Sequence, residues 1–386
     1  MRIAVIGAGP AGLYFAYRLK RARPDASVRI FEQNRTGATF GFGIVFSDRA
    51  LDFLSADDPE TFTLVSRHLE RWNELAVVHR GQRVPVDGIG FAAIGRLAFL
   101  KLLQQRAASL KLEPVYGRRI DNVGELGEFD LIIGADGVSS TVRQSRSEDF
   151  ATETAYLSNR YAWYGTSKPF ECLTQTFVET EHGAFNAHHY RYAPNMSTFI
   201  VETSEDTWLR SGLDRLDEAA SQRFCEAAFA ETLDQAPLIS NRSAWRRFPQ
   251  VRNRRFAAGN AVLIGDALHT AHFSIGSGTR LALEDAVALA KSIAGHPGDL
   301  PEALADFEAA RRPVLDKLLA AADASGRWYE QFDRHMALAP VEFAMSYLCR
   351  SGRVAPERIA ETSPRFMAEW TRRRTGRLST TERDGP

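Results

Sequence analysis

The sequence predicts an α/β protein in which a parallel-sheet unit opens the chain, a β-rich module is inserted into it, and a helical region follows. Three observations carry that expectation. Residues 2–6, "RIAVI", read as a short buried strand, "GAGPAG" as a tight turn, "LYFAYRLKRARP" as a helix that Pro24 follows, and "SVRIFEQ" as a second strand. From about residue 155 to 205 the chain turns to aromatic segments of period-2 alternation, "YAWYGTS", "LTQTFVETEHGAFNAHHYRY" and "MSTFIVET", with Gly183 and "APN" at turns, the pattern of an antiparallel sheet. "NAVLIGDA" then returns to a buried strand and "RLALEDAVALAKSIAG" to a helix, so the chain leaves the first unit, builds another layer and comes back.

The stretches between follow the same logic. "TFGFGIVFS" reads as a glycine-studded loop, followed by mixed helix to about residue 75. "RLAFLKLLQQRAASL" (96–110) reads as a strongly amphipathic helix, and "FDLIIGADGVSSTVR" (129–143) as a strand running into a turn and helix. Residues 206–240 and 300 to about 370 look helical, and "TRRRTGRLSTTERDGP" reads as a solvated, frayed tail. No internal repeat or low-complexity linker is present.

Bulk properties exclude several classes. The 386 residues can bury a large core. With 48 Lys+Arg against 48 Asp+Glu there is no overall field to attract polyanions, so no nucleic acid partner is expected. Three scattered cysteines, Cys172, Cys225 and Cys349, suit a reducing compartment and suggest neither a disulfide framework nor a zinc knuckle. No run reaches the roughly 18 apolar residues that span a bilayer. The ordered glycines and proline argue against reading the N-terminus as a signal peptide, so a soluble cytoplasmic protein is expected.

Gly7, Gly9 and Gly12 stand in the order G-x-G-x-x-G between strand and helix, and Glu32 ends the next strand. The first glycine permits the turn, the second lets a pyrophosphate approach the backbone, the third allows close helix packing, and the carboxylate accepts from ribose hydroxyls. An adenine dinucleotide is expected there, with NAD and FAD undistinguished by this motif. Pro10, Ala11 and Gln33 belong to the same expected contact surface. Downstream, "GADGVSSTVR" places Asp136 and Gly137 at a strand end, and "VLIGDALHT" does the same for Gly265 and Asp266. Taken singly, either aspartate fits a turn or helix cap equally well.

Together, these three motifs resemble the group A flavoprotein aromatic monooxygenases of the p-hydroxybenzoate hydroxylase fold. The resemblance implies that the first glycine motif and Glu32 bind ADP, that Asp136 and Gly137 lie near the pyrophosphate and assist use of NADH or NADPH, and that Asp266 binds the ribityl chain of FAD. Arg96 begins a helix where the family often places a flavin-contacting arginine; Arg96 and Arg143 could equally be surface residues. "FGFGIVFSD", "WYGTSKPF", "AHHYRY", "MSTFIVET", "GDALHTAHFSIGSGTRLALEDA" and "EFAMSYLCRS" are similar to the subgroup that holds salicylyl-CoA 5-hydroxylases, the flavin domain of 2-aminobenzoyl-CoA monooxygenase/reductase and the tryptophan-derivative hydroxylase of violacein biosynthesis. No fused reductase module is expected.

On that resemblance the fold class is α/β, a Rossmann-like FAD-binding domain with an inserted β-rich substrate domain and a helical C-terminal region. The expected segments are FAD-binding at 1–75, substrate domain at 76–95, FAD-binding with the D-G motif at 96–155, β-rich substrate domain at 156–255, FAD-binding with the G-D motif at 256–300, and the helical region and tail at 301–386. The implied activity is hydroxylation of an activated aromatic ring through a flavin C4a-hydroperoxide, with NAD(P)H and O2 as co-substrates. Gly276, Ser277, Gly278 and Thr279 precede a helix starting near Arg280, so their N–H groups can face an anionic flavin.

His269 and His272 stand i, i+3, but no H-E-x-x-H pattern or third ligand accompanies them, so no metal is expected. His269 reads as a loop-organising hydrogen bonder. His272 and Phe273, by the resemblance, take the place of prolines that flank the substrate cavity in relatives. Along "FNAHHYRY", Phe185, Ala187, His189 and Arg191 face one way and Asn186, His188 and Tyr190 the other. The subgroup pattern retains His188, whose neutral imidazole could assist deprotonation of a substrate hydroxyl, although a lone strand histidine serves structure as readily. His188, His272 and Phe273 are thus the expected catalytic group.

"WRRFPQVRNRRF" (245–256) carries five arginines, which fits either the phosphates of a CoA ester or a solvated basic loop. A salicylyl-CoA-like substrate is preferred, with a free indole or tryptophan-derived metabolite as alternative. A halogenase is disfavoured because its "WxWxIP" signature is absent. A non-catalytic flavin- or NAD-binding redox sensor is the alternative of another class. NADH versus NADPH and the oligomeric state stay open.

Overall fold

Ile3, Ala4, Val5 and Ile6 are buried along their whole length, as a strand sandwiched between two layers of helix requires. In the computed structural model, which describes residues 1–38 and 41–381, that strand is the middle of a six-stranded sheet. The strands run, in chain order, β1 (Arg2–Ile6), β2 (Ser27–Glu32), β3 (Gly43–Ser47), β4 (Glu70–His79), β5 (Gln82–Gly95), β6 (Val115–Tyr116), β7 (Leu131–Gly134) and β8 (Thr152–Thr166). They continue with β9 (Leu173–Thr180), β10 (Gly183–Ala193), β11 (Met196–Thr203), β12 (Leu238–Ile239), β13 (Arg246–Asn253), β14 (Ala257–Ala258) and β15 (Ala261–Leu263).

The six-stranded sheet has the order β14-β15-β7-β1-β2-β6, parallel except for β14. Parallel neighbours need crossover connections. The helix Pro10–Ala22 supplies the first, and most of its residues are buried. The second sheet has nine strands, ordered β12-β8-β11-β10-β9-β4-β5-β3, with β13 also paired to β8. Its pairs are antiparallel except β4 with β9.

The alternation in "FNAHHYRY" separates the faces of this sheet. Phe185 and Ala187 pack with Phe199, Val201, Cys225 and Phe229 under the helices that follow residue 204. His189 joins them, its Nε2 2.9 Å from Thr176 Oγ1 and its ring stacked on Phe199. Tyr190 instead joins a cluster with Tyr329, Phe332 and Phe343 from the C-terminal helices.

Several local expectations change. The helical reading to residue 75 ends at Ser66, because β4 begins at Glu70 and pairs with β5. Part of the glycine-studded loop is the strand β3, paired with β5 from Gly43↔Gly95 to Ser47↔Phe91. Thr39 and Phe40, which begin the "TFGFGIVFS" and "FGFGIVFSD" motifs, lie outside the described residues. The helix at 96–110 is Arg96–Ala108, and its buried stripe is only Phe99, Leu103 and Ala107, because its other leucines are spread round the axis. The tail is helical as Pro364–Thr381; the expectation for 382–386 lies outside the described residues.

One buried charge fastens the first helix to its neighbours. Asp58, fully buried, caps the helix Pro59–Ser66 through Thr61, accepts from Tyr14 Oη at 3.1 Å, and faces Arg18, Arg21 and Arg106 at 3.8, 3.4 and 3.7 Å. Removing one partner of a buried ion pair leaves the others uncompensated. Asp58→Ala is expected to destabilise the protein by about 3 kcal/mol, read as a lower urea midpoint; an unchanged midpoint would show that Asp58 only caps a surface helix.

Candidate active site

The glycine turn, the D-G turn and the G-D turn follow β1, β7 and β15, which are neighbours in one parallel sheet. They therefore meet at its carboxyl edge, where open α/β sheets bind ligands. Close packing explains the glycines. A Cβ at Gly7, which has φ +104°, would lie 2.3 Å from Ala135 O, and one at Gly12 would lie 2.0 Å from Gly7 O. At Gly9 there is open space within 4 Å, so the backbone beside Pro10 and Ala11 can be approached by a ligand. Glu32 accepts from Ala8 N–H at 2.9 Å and from Asn34 N–H and Nδ2 at 2.8 and 2.7 Å. The carboxylate thus supports the turn, and Asn34, unmarked in the sequence, orients it. Gln33 next to it is exposed.

Asp136 plays the capping role its position allowed. Its Oδ2 accepts from Thr141 N–H at 2.7 Å and Val142 N–H at 3.4 Å, while its Oδ1 is buried without a partner. Burial raises its carboxyl above the usual range, against those hydrogen bonds. Gly137 (φ +78°) has open space beside it. Arg143 is not a surface residue: it is buried, donates to Ala267 O at 2.9 Å and also to Val138 O, and so ties the D-G and G-D loops together.

Asp266 sits in the next turn, reachable by water although protein surrounds it, the situation of a group on a cleft wall. Enclosure pushes its carboxyl up while His269 and Arg96 pull it down. Arg96, half-buried, is held below its ordinary value by desolvation and is favoured by Asp266. No direct ion pair joins the two, which leaves both side chains available to a ligand. His269 donates to Asp285 Oδ2 at 2.8 Å and organises the loop.

The helix expected near Arg280 begins at Gly278, with Ser277 as its N-cap. The first turn is thus formed by Gly278 and Thr279 themselves. Ser277 Oγ turns back to Ile275 O at 3.2 Å instead of capping, so the first N–H groups have no intrahelical acceptor. Gly276 takes φ +60°, and Gly278 has open space within 4 Å. The cradle thus offers N–H donors and a helix's positive end to a group that gains negative charge. An adenine dinucleotide with a redox ring fits these residues.

Facing the cradle is the inner surface of the large sheet. His188 is buried, and neither of its ring nitrogens has a partner. Its ring lies 5.6 Å from that of Tyr190 and 6.4 Å from that of Phe273. Burial, and then Arg350, lower its pKa to about 3, so it is neutral. His272 is also buried and held at about 3 by burial, Arg350 and His188, but its ring is engaged: Nδ1 lies 2.8 Å from Ser274 Oγ, which lies 2.7 Å from Ser325 Oγ. The structure brings His188, Phe273 and His272 together, with only His188 free at both nitrogens.

Glu202 is the group that sequence reasoning missed. It is 2 % exposed; Oε1 accepts from Asn159 Nδ2 at 2.9 Å and lies 3.9 Å from His272 Nε2, and Oε2 has no partner. Burial pushes its pKa up to about 8. The pairing of β10 with β11 places Glu202 opposite Asn186, on the face of His188, but the register shifts by one residue between Arg191 and Ala193, so counting back from "APN" would have put it on the other face. Gln175 Nε2, Asn186 Oδ1 and Trp163 Nε1 on the same sheet are buried without partners too. Rings of Tyr161, Phe248 and Tyr329 pack round Phe273 and His272.

The arginine run at 245–256 is structural for the most part. Arg247 bonds Leu157 O, Arg252 pairs with Asp323 at 2.6 Å, Arg254 pairs with Glu153, and Arg255 bonds Asp149 O. Among the described residues no group of three or more His, Cys, Asp or Glu side chains could hold a metal ion, and no helix is long and apolar enough to cross a membrane.

Comparison with known proteins agrees with this geometry. Residues 121–322 match the model of a FAD binding domain family, and residues 5–41 that of a NAD(P)-binding Rossmann-like domain. The chain is 40% identical over 400 residues to salicyloyl-CoA 5-hydroxylase of a Streptomyces species, covering 100% of this chain and 77% of the relative. It is 36% identical to 3-hydroxy-4-methyl-anthranilyl-[aryl-carrier protein] 5-monooxygenase of Streptosporangium sibiricum (85% and 89% covered) and 34% identical to protodeoxyviolaceinate monooxygenase of Chromobacterium violaceum (92% and 96%). Among solved structures, 2-methyl-3-hydroxypyridine-5-carboxylic acid oxygenase shares the fold with TM-score 0.67 at 18% identity, covering 93% of this chain and 95% of that one.

Glu202 yields a test of the buried wall. A carboxyl whose folded pKa is raised to about 8 keeps its proton while the unfolded chain loses it above about 4.5. The unfolded state then binds fewer protons, so this group's contribution falls as pH rises from about 5 to 8 and is level above that. Glu202→Gln is expected to remove that fall, so that the variant gains on the wild type in urea midpoint between pH 5 and 8. A parallel pair of pH profiles would show Glu202 ionised and compensated.

Proposed function

The chain belongs to the FAD-dependent aromatic monooxygenases of the p-hydroxybenzoate hydroxylase fold, and on that premise we propose that its substrate is an aryl-CoA thioester, salicylyl-CoA hydroxylated at C5. The match to salicyloyl-CoA 5-hydroxylase over the whole of this chain supports this reading. FAD and NAD(P)H are its cofactors. Bound FAD, reduced by NAD(P)H, would supply the activation of O2, one atom of which enters the ring while the other leaves as water.

The protein's residues do the rest. We assign Gly7, Gly9, Pro10, Ala11, Gly12, Glu32 and Gln33 to the ADP end of FAD, and Asp136 and Gly137 to the pyrophosphate side. Arg96 and Asp266 face the linker to the flavin ring. The N–H groups at Gly276, Ser277, Gly278 and Thr279 stabilise negative charge on its pyrimidine edge. His188 faces the substrate. With a pKa of about 3 it is a poor carrier of a full positive charge, so its role is to accept a hydrogen bond from the ring hydroxyl and push electron density into the ring. Phe273 flanks the ring, and His272 is held by Ser274 behind it. Tyr161, Phe248 and Tyr329 close the pocket against water, which would otherwise release the activated oxygen as peroxide.

Two outcomes test this. Salicylyl-CoA is expected to speed anaerobic NAD(P)H reduction of the bound FAD and, in air, to yield a ring-hydroxylated ester, with free salicylate and free indoles far weaker; stimulation by a free indole alone would favour that alternative. His188→Ala is expected to keep NAD(P)H oxidation but to lower the hydroxylated fraction by at least about tenfold. Fully coupled turnover in that variant would remove His188 from the reaction.

A further inference from the structure

Beside the FAD cradle, which it meets at Gln33 and Arg96, a cleft of about 1090 Å³ opens between the loop after β2 and the edge of the large sheet. Arg35 and Arg67 stand on its walls and Arg96 where it meets the cradle, with Asn34, Tyr192 and Asn241 between them. Among the described residues the side chains of Arg35, Arg67 and Arg96 make no hydrogen bond or ion pair. His68 adds a further basic group. The acidic residue of the wall, Glu70, is already neutralised by Arg191 at 2.9 Å. The cleft is therefore cationic and unsatisfied, the condition in which guanidinium groups bind phosphate oxygens through paired N–H donors.

The cleft also has a route to the reacting ring. Tyr192 lines it, and β10 runs from Tyr192 through Tyr190 to His188. Four residues of antiparallel strand cover about 14 Å, a distance for a flexible arm and too long for the ring itself. Both tyrosines meet β3 at Gly43: Tyr190 Oη donates to Gly43 O at 2.9 Å, and a Cβ on Gly43 would lie 2.7 Å from the Tyr192 ring.

We propose that this cleft binds the nucleotide end of the aryl-CoA substrate, its 3′-phosphate and diphosphate meeting Arg35 and Arg67, while the pantetheine arm follows β10 to place the ring at His188. The assignment rests on the aryl-CoA reading of the function. It moves the phosphate contacts from the arginine run at 245–256 to arginines scattered in sequence.

Calorimetric titration of the FAD-loaded enzyme with free coenzyme A tests it. Wild type is expected to bind coenzyme A, and the Arg35→Ala, Arg67→Ala double variant to bind it at least about tenfold more weakly, with its flavin content retained because both side chains are exposed. In turnover, KM is expected to rise for salicylyl-CoA, and the rise to be confined to the ester that carries the nucleotide, judged against salicylyl-N-acetylcysteamine. No binding by wild type, undiminished binding by the variant, or displacement of coenzyme A by NAD(P)H would overturn the cleft assignment. So would hydroxylation of salicylyl-CoA with KM unchanged in the variant, an outcome that leaves the function standing. Arginine-dependent coenzyme A binding without hydroxylation of salicylyl-CoA supports the cleft and overturns only the choice of ring.

Discussion

The wholly buried carboxylate of Asp285 sets the geometry on which the site depends. It accepts from Gly265 N–H at 3.0 Å, from His269 at 2.8 Å and from Arg311 at 2.8 Å. Burial alone would drive such a group to protonate, but His269 and Arg311 hold its pKa below the usual value. Three elements are joined there: the G-D turn, the helix Gly278–Gly295 that carries Asp285, and the helix Leu300–Tyr329 that carries Arg311. Arg143 extends the network to the D-G loop. The G-D and D-G turns at the sheet edge are thus fixed relative to one another before a ligand arrives, which is what preorganised electrostatics needs.

Opposite this rigid cradle the protein tolerates polar groups that a plain core would not. Unpartnered buried polar atoms are rare because each forfeits its solvation. Here Gln175, Asn186, His188 and Glu202 gather on one sheet face, beside rings that exclude water. Such a set offers hydrogen-bonding groups to a ligand. The same sheet's other face is packed conventionally, with His189 bonded to Thr176. Alternation along β10 thus divides structure from chemistry between adjacent histidines.

Local pattern made much of this legible. Asp136 acts through the backbone of Thr141 and Val142 a few residues on, and the glycine spacing and Glu32 stand at the ends of strands that local pattern marks, so sequence carries them directly. The alternation of "FNAHHYRY" likewise separated His188 from His189. What escaped depends on distant pairing. β3 looked like loop because its partner, β5, lies some fifty residues on. Arg143 looked superficial because its acceptor, Ala267 O, is 124 positions away. The run at 245–256 looked like a phosphate site because its carboxylate and carbonyl partners come from residues 149–157 and 323. Glu202 was hidden in a strand ending, where a carboxylate ordinarily meets water.

On the proposed function, the space between rigid cradle and polar wall is where one flat ring system meets the substrate. A crystal structure of the enzyme with FAD and salicylyl-CoA tests this most directly. It is predicted to show the flavin's pyrimidine edge at the amides of Gly276 to Thr279, and the salicylyl hydroxyl in hydrogen-bond contact with His188. A flavin seated away from those amides, or a ring bound with His188 unpartnered, would contradict it.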